Sequence, residues 1–363
     1  MKWFSRPGTR ASRIVLGSVL AVLALLPIRL RATDALDVDI ERFARYLDAL
    51  RVQAKIPGLS ATILQDGAVR WEQGFGDADV EHQIAATPDT PYRLGGLTQM
   101  FSAMLALQCE EIGKLDIDVP IAYYSAAIPE ATARVRHVLT HTSQGTPGAV
   151  FAFSLARFAT LTNVVETCDD QPFRQAVARR LLDRLAMRAT TPGEDLASPD
   201  PAALTGFDGD TIARYQNVLA RVATGYTLQA DGRVRPAPAT PNDLNASVGL
   251  VSTVRDLAQF ERALGDGTII SAAAVARAWQ PATGSSGILP AGLGWFSQSI
   301  DGVRVVWQFG QWNQHAALYM TLPDRHTTLI VLANSAELNA RFALDKGDLA
   351  ASPFAKLFLR VFA

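Results

Sequence analysis

Tyr92-Arg93-Leu94-Gly95-Gly96-Leu97-Thr98-Gln99 is the stretch on which the fold turns. A short extended run reaches a double glycine, and the largely apolar segment Met100 to Ile112 follows, ending at Gly113. That order predicts a strand-to-helix turn. Upstream, Leu59 to Leu64 and Val69 to Glu72 flank Gln65-Asp66-Gly67-Ala68, an Asp-Gly turn between two strand-like runs that reads as a β-hairpin. Ahead of it, Ile40, Phe43, Ala44, Leu47 and Leu50 have helical spacing across residues 37–55, closed by Pro57-Gly58. Downstream, Phe173 to Leu185 predicts an amphipathic helix, and residues 186–242, rich in Pro, Gly, Asp and Thr, predict irregular structure. Thr253 to Leu264 regains a helical pattern. Gly302 to Phe309, His315 to Leu322 and Thr327 to Leu332 read as adjacent antiparallel strands, and Phe354 to Phe362 as a closing helix. The expected class is α+β, an antiparallel sheet flanked by helices and split by a mostly helical insert. The sheet part is expected from about residues 36–92 and 245–363, and the helical part from about 93–244.

Composition removes several functions. With 363 residues, 48% hydrophobic content and a net charge of −1, the chain can bury a sizeable core. Lys+Arg 34 against Asp+Glu 35 leaves no long-range field to attract nucleic acid, so no nucleic-acid partner is expected. No repeat period supports a solenoid. No His/Cys/Asp/Glu set has metal-ligand spacing, so neither a metal nor another cofactor is implied. Lys2, Arg6, Arg10 and Arg13 precede the apolar run Ile14 to Ile28, the order of an export signal and short for a membrane span. Residues 1–35 therefore read as a signal directing the chain to the periplasm or the cell exterior. Because Arg29 and Arg31 follow the run and the small residues are Ala32 and Ala35, an uncleaved inner-membrane anchor through residues 14–28 is the other reading. Cys109 and Cys168 both fit helix patterns as small apolar residues and are read as free thiols.

Several further motifs occur in a fixed order. Ile56-Pro57-Gly58-Leu59-Ser60 and Gly74-Phe75-Gly76 bracket the hairpin. Thr87-Pro88-Asp89-Thr90-Pro91 leads into the turn, and Glu110-Glu111-Ile112-Gly113-Lys114-Leu115-Asp116 leaves its helix. Val135-Arg136-His137-Val138-Leu139-Thr140-His141-Thr142-Ser143 and Gly249-Leu250-Val251-Ser252-Thr253-Val254-Arg255-Asp256-Leu257 follow. Together they resemble the β-lactamase-related and penicillin-binding serine hydrolases, which include class C β-lactamases, esterases and D-amino-acid peptidases. The resemblance covers nearly the whole exported chain and implies the β-lactamase/transpeptidase-like fold.

It also implies acyl transfer, which needs a hydroxyl nucleophile, a proton acceptor beside it and donors for the developing oxyanion. In the resembled family the turn carries Ser-x-x-Lys; here those positions are Gly96 and Gln99. Counting back from Gln171-Pro172-Phe173 puts the family's Tyr-x-Asn on Phe153-Ser154-Leu155, and the Lys/His-x-Gly strand falls on Gln308-Phe309-Gly310. Tyr215-Gln216-Asn217 has suitable letters but follows Leu185-Ala186-Met187, which resembles a later motif. No Ser-x-x-Lys occurs anywhere.

The losses are concerted, as expected once a buried lysine has gone and its polar neighbours have lost their partner. The chain thus reads as a pseudoenzyme that binds a small carbonyl compound, a cell-wall fragment or a protein partner. Backbone N–H groups of Gly96 and Gln311 are candidate donors, with Gln99, Gln308, Gly310 and His315 as further ligand-site candidates and Gln144 and Gln314 as added amides. His141 and Ser143 lie in the signature loop, where the resemblance implies a structural role. The alternative is a serine hydrolase with a non-standard nucleophile, Ser102, Ser143 or Ser154.

Overall fold

The Asp66-Gly67 turn closes the hairpin between β1 (Gly58–Gln65) and β2 (Ala68–Asp79), with φ of 52° and 73° at its two residues. Two successive left-handed residues are what a two-residue loop needs to follow the strand twist. The computed structural model describes residues 37–198, 201–238, 240 and 243–363. The apolar run 14–28 and both readings of residues 1–35 lie outside the described residues. Helical residues 37–47 belong to a separate compact unit, and Asp48–Ala363 holds the sheet and everything below.

That sheet is wholly antiparallel. With β3 (Ile84–Ala85), β4 (Phe296–Ile300), β5 (Val303–Trp312), β6 (His315–Leu322) and β7 (Thr327–Ala333), its order is β4-β5-β6-β7-β1-β2-β3. β1, β6 and β7 are buried almost throughout, because both their faces are covered. β4 was not legible in the sequence, and it pairs only with residues 303–307 of β5. The outer edge of β5 from Gln308 to Trp312 is therefore free for another element.

α1 (Thr98–Glu111) runs through the middle of the core, buried from Thr98 to Cys109. A helix apolar on all sides must be surrounded, and two of its polar side chains reach carbonyls of the segments around it: Ser102 Oγ donates to the Ala246 carbonyl at 2.7 Å and Gln108 Nε2 to that of Ile269 at 3.0 Å. The expected helix at 173–185 is α-helical over Phe173–Val177 and π-helical over Ala178–Asp183. Within 186–242 lie the helix Gly209–Leu219 and the strand pair Tyr226–Leu228 and Val234–Pro236.

One expectation is overturned. Cys109 and Cys168 are not free thiols but form a disulfide, joining α1 to α2 (Leu161–Asp169). Each cysteine did fit its helix as a small apolar residue, but packing places the two helix ends side by side with Cα atoms 6.2 Å apart, a proximity spacing cannot reveal. Closing a loop of 59 residues stabilises the fold by about 4 kcal/mol on the chain-entropy account.

On the sheet, α3 (Val254–Gly265) places Glu261 where its carboxylate accepts hydrogen bonds from Tyr319 and from Thr328 Oγ1, the latter at 2.6 Å. Desolvation pushes its pKa above the usual 4.5. A raised carboxyl pKa means the folded state holds the proton more tightly, so stability is lost as pH climbs from 4.5 through the folded value. Glu261→Gln keeps the shape and removes the titration. Its melting temperature should gain on the parent's as pH rises from 4.5 to 8 in scanning calorimetry; a difference independent of pH would contradict this account.

Candidate functional site

The free edge of β5 meets the turn before α1 backbone to backbone. A Cβ on Gly310 would lie 1.8 Å from the Leu94 carbonyl oxygen, and one on Gly95 would lie 2.7 Å from Gln311 backbone atoms. Gly95 also has φ of 51°, so glycine serves both space and conformation there. The turn, Gly95–Leu97, is one 3₁₀ turn continuous with α1. Behind it, Tyr92–Arg93 pairs with Leu250–Ser252, and the Leu94 N–H donates to Leu250 O at 2.9 Å. The signature Gly249 to Leu257 thus begins by anchoring the strand that feeds the turn.

Gly96 is buried. The three atoms nearest to where its Cβ would sit are Phe309 O at 3.0 Å, Gly310 Cα at 3.7 Å and Leu155 Cδ2 at 3.7 Å. None is a base. One helical turn on, Gln99 is fully buried. Its Oε1 lies 3.1 Å from His141 Nε2 and 3.4 Å from Gln308 Nε2, while Gln308 Nε2 also donates to Gly294 O at 3.0 Å and its Oε1 accepts the Phe309 N–H at 2.9 Å. His141 Nδ1 accepts the Ser154 N–H at 3.3 Å. Because Nδ1 is an acceptor, the ring proton sits on Nε2 and is donated to Gln99.

Aromatic rings enclose this polar group. His141 lies 4.7 Å from Phe153 and 5.2 Å from Phe158 between centroids, and Phe153 is 5.3 Å from Phe309. Burial pushes the His141 pKa down to about 3, so the ring is neutral near physiological pH. Phe153, Leu155 and Phe309 are half-buried and Gln311 is exposed, so solvent reaches the rim. In the β5–β6 register, closed by Trp312 opposite His315 across a two-residue loop, Gln311 is a non-hydrogen-bonded position whose N–H faces the turn rather than β6.

The structure thus brings together Gly96, Gln99, Leu155, Phe153, Gln308, Gly310 and Gln311. His315 is held elsewhere, with Nδ1 3.3 Å from Arg93 N and Nε2 3.0 Å from Arg93 Nη1, and Arg93 pairs with Glu194 at 2.8 Å. Gln144 is exposed, and Gln314 lies in the hairpin loop. Tyr215 is on Gly209–Leu219, against Phe207 and beneath Arg214. Each rival serine is engaged: Ser102 with the Ala246 carbonyl, Ser143 with Arg157 Nη1 at 3.3 Å, and Ser154 as the N-cap accepting from Arg157 N at 3.2 Å. His141 is the member that sequence reasoning left outside the site. Its proximity to Gln99 depends on a left-handed backbone at φ of 52°, for which the loop sequence gave no cue.

With this geometry established, comparison places the chain among known proteins. A family model described as Beta-lactamase matches residues 43–352. The human serine beta-lactamase-like protein LACTB, mitochondrial, is 30% identical over 91 residues, covering 25% of this chain and 17% of LACTB. A D-aminopeptidase of Gluconobacter oxydans (strain 621H) is 22% identical over 216 residues, covering 50% of this chain and 41% of that enzyme. The alignments therefore span less than half the length of either relative. Among solved structures, the octameric penicillin-binding protein homologue from Pyrococcus abyssi superposes with a TM-score of 0.71 at 20% identity, covering 89% of this chain and 77% of that one.

The hydrogen-bond pattern makes His141 a fixed neutral tautomer. With its pKa lowered from 6.5 by burial, stability contributed by the neutral ring is present above 6.5 and is lost as pH falls, when the unfolded chain takes up the proton. In an NMR titration from pH 8 to pH 5 the His141 ring signals should not move, whereas those of exposed His82, whose pKa is raised by its hydrogen bond to Asp79, should. Titration of His141 near 6.5 would refute the assignment.

Proposed function

The chain belongs to the β-lactamase family, and we propose that within it this member holds a ligand at the Gly96 turn without turning it over. The observation that carries the reading is the commitment of Gln99. It occupies the place where the family resemblance expects a lysine base, yet its oxygen already accepts from His141 and Gln308. A carboxamide does not take a proton from a hydroxyl at neutral pH, and position 96 offers no hydroxyl. Phe153 and Leu155 replace the phenol and amide that would otherwise cross the cleft. His141 is no substitute base, since its one lone pair is used by Ser154 N–H.

Loss of a nucleophile-and-base unit costs on the order of 10⁶ in turnover, although backbone donors and binding alone still leave roughly 10³ to 10⁴ over water. A small carbonyl compound or cell-wall fragment is the ligand that such donors favour. Function after export also fits the Cys109–Cys168 bond, because disulfides persist in oxidising compartments. For the rival hydrolase reading, Ser102, Ser143 and Ser154 would each have to leave an existing hydrogen bond.

Incubation of the purified chain with a fluorescent penicillin and with a fluorophosphonate tests the proposal. Neither should label it in a heat-stable way. Gly96→Ser, checked for parental circular dichroism because its Cβ meets Phe309 O at 3.0 Å, should stay at background as well. Stoichiometric labelling of the parent would end the inert reading, and burst acylation of Gly96→Ser would show that a proton acceptor exists nearby.

A further inference from the structure

We propose that a cavity beside His137, apart from the Gly96 turn, is a second binding site, and that it takes the carboxylate of a small monocarboxylic acid with a short apolar body. The inference is independent of what the turn holds.

The cavity measures about 360 Å³, within the range of small-molecule sites. It lies between the short helix Val135–Leu139 and the chain that leaves the helix Ala272–Ala278. Ile117 and Leu293 give it an apolar wall, and Arg136, His137, Arg277 and Gln280 a polar one. Arg136, Arg277 and Gln280 are exposed and His137 is half-buried, so a ligand reaches the site from solvent.

His137 supplies an oriented donor. Its Nδ1 accepts the Arg134 N–H at 3.2 Å, so the proton of the neutral ring sits on Nε2. That nitrogen faces Gly148, another residue of the cavity wall, where a Cβ would lie 3.3 Å from it. Glycine at φ of 86° therefore leaves Nε2 uncovered on that side, and it has no hydrogen-bond partner among the described residues.

Charge decides the class of acceptor. Asp118 accepts from both Arg134 and Arg136, so this trio carries one positive charge in excess. Arg277, bound to Glu110 through both terminal nitrogens, adds none. The excess acts on the ring: burial first, then Arg136 and Arg134, hold the His137 pKa below 6.5 against the opposing pull of Asp118. A single carboxylate balances that charge, and its two oxygens can accept from His137 Nε2–H and from the Arg136 guanidinium as charge-assisted bonds. A dianion would leave a negative charge uncompensated beside Asp118 and Glu110, and a neutral amide forgoes the charge-assisted bonds. Ile117 and Leu293 offer contact to the apolar body.

The test titrates the full chain, labelled with ¹⁵N-histidine, by NMR near neutral pH with 3-methylbutanoate, 3-methylbutanamide and inorganic phosphate. The acid should shift the His137 ring signals saturably, raise the His137 pKa, and bind roughly tenfold tighter than the amide or phosphate, the worth of one hydrogen bond to a charged group. Arg136→Gln should weaken the acid by roughly the same factor. Arg325→Gln, which removes an equal charge at an exposed site elsewhere, should not. If Arg136→Gln does not unfold cooperatively, the parent's preference for acid over amide decides. No saturable shift at His137, equal binding of acid and amide, tighter binding of phosphate, or unchanged affinity in folded Arg136→Gln would overturn the proposal. Labelling by penicillin or fluorophosphonate bears on the turn alone and leaves this outcome unchanged.

Discussion

The contact of β5 with the turn before α1 is the constraint on which the site depends. Gly310 lies against the Leu94 carbonyl and Gly95 against Gln311, at separations that admit no side chain between the backbones. Because β4 pairs with β5 only as far as Trp307, the remaining strand edge is free to meet the turn. That edge does not need reactive side chains to persist. It is maintained by two glycines, by the Leu250 strand behind Leu94 and by a helix buried almost to its end. A scaffold secured in this way does not depend on the side chains at positions 96 and 99 to hold its shape.

Beside the turn lies a self-consistent polar chain. Ser154 N–H, His141, Gln99, Gln308 and Gly294 O are linked so that each proton has one sensible place. The enclosing rings lower the effective dielectric, which strengthens these bonds and keeps His141 neutral. Within this set of linked side chains the Gln99 amide nitrogen is the group without a partner among the described residues, one of ten buried side-chain atoms so placed.

Legibility in the sequence followed the range of the interactions. The Asp66-Gly67 hairpin, the apolar helix after Gly96 and the strands that became β5 to β7 depend on neighbours a few residues away, and local pattern revealed them. β4 was missed because Phe296 to Ile300 is short and follows a glycine- and proline-rich stretch. The π-helical turn at Ala178–Asp183 carries the same apolar spacing as an α-helix and cannot be told from it by period. His141 escaped for a different reason, since a left-handed histidine in a loop has no sequence signature.

By itself the sequence determined which elements form, in what order, and which reactive residue types are missing from the turn and the edge strand. Those properties reside in residue identity and near-neighbour spacing. Only the tertiary structure decided that Cys109 and Cys168 are bonded, that His141 rather than His315 meets Gln99, and which end of the Gln99 amide is left without a partner. Each of these depends on atoms dozens to hundreds of residues apart being brought within about 3–6 Å, the range over which hydrogen bonds and disulfides act.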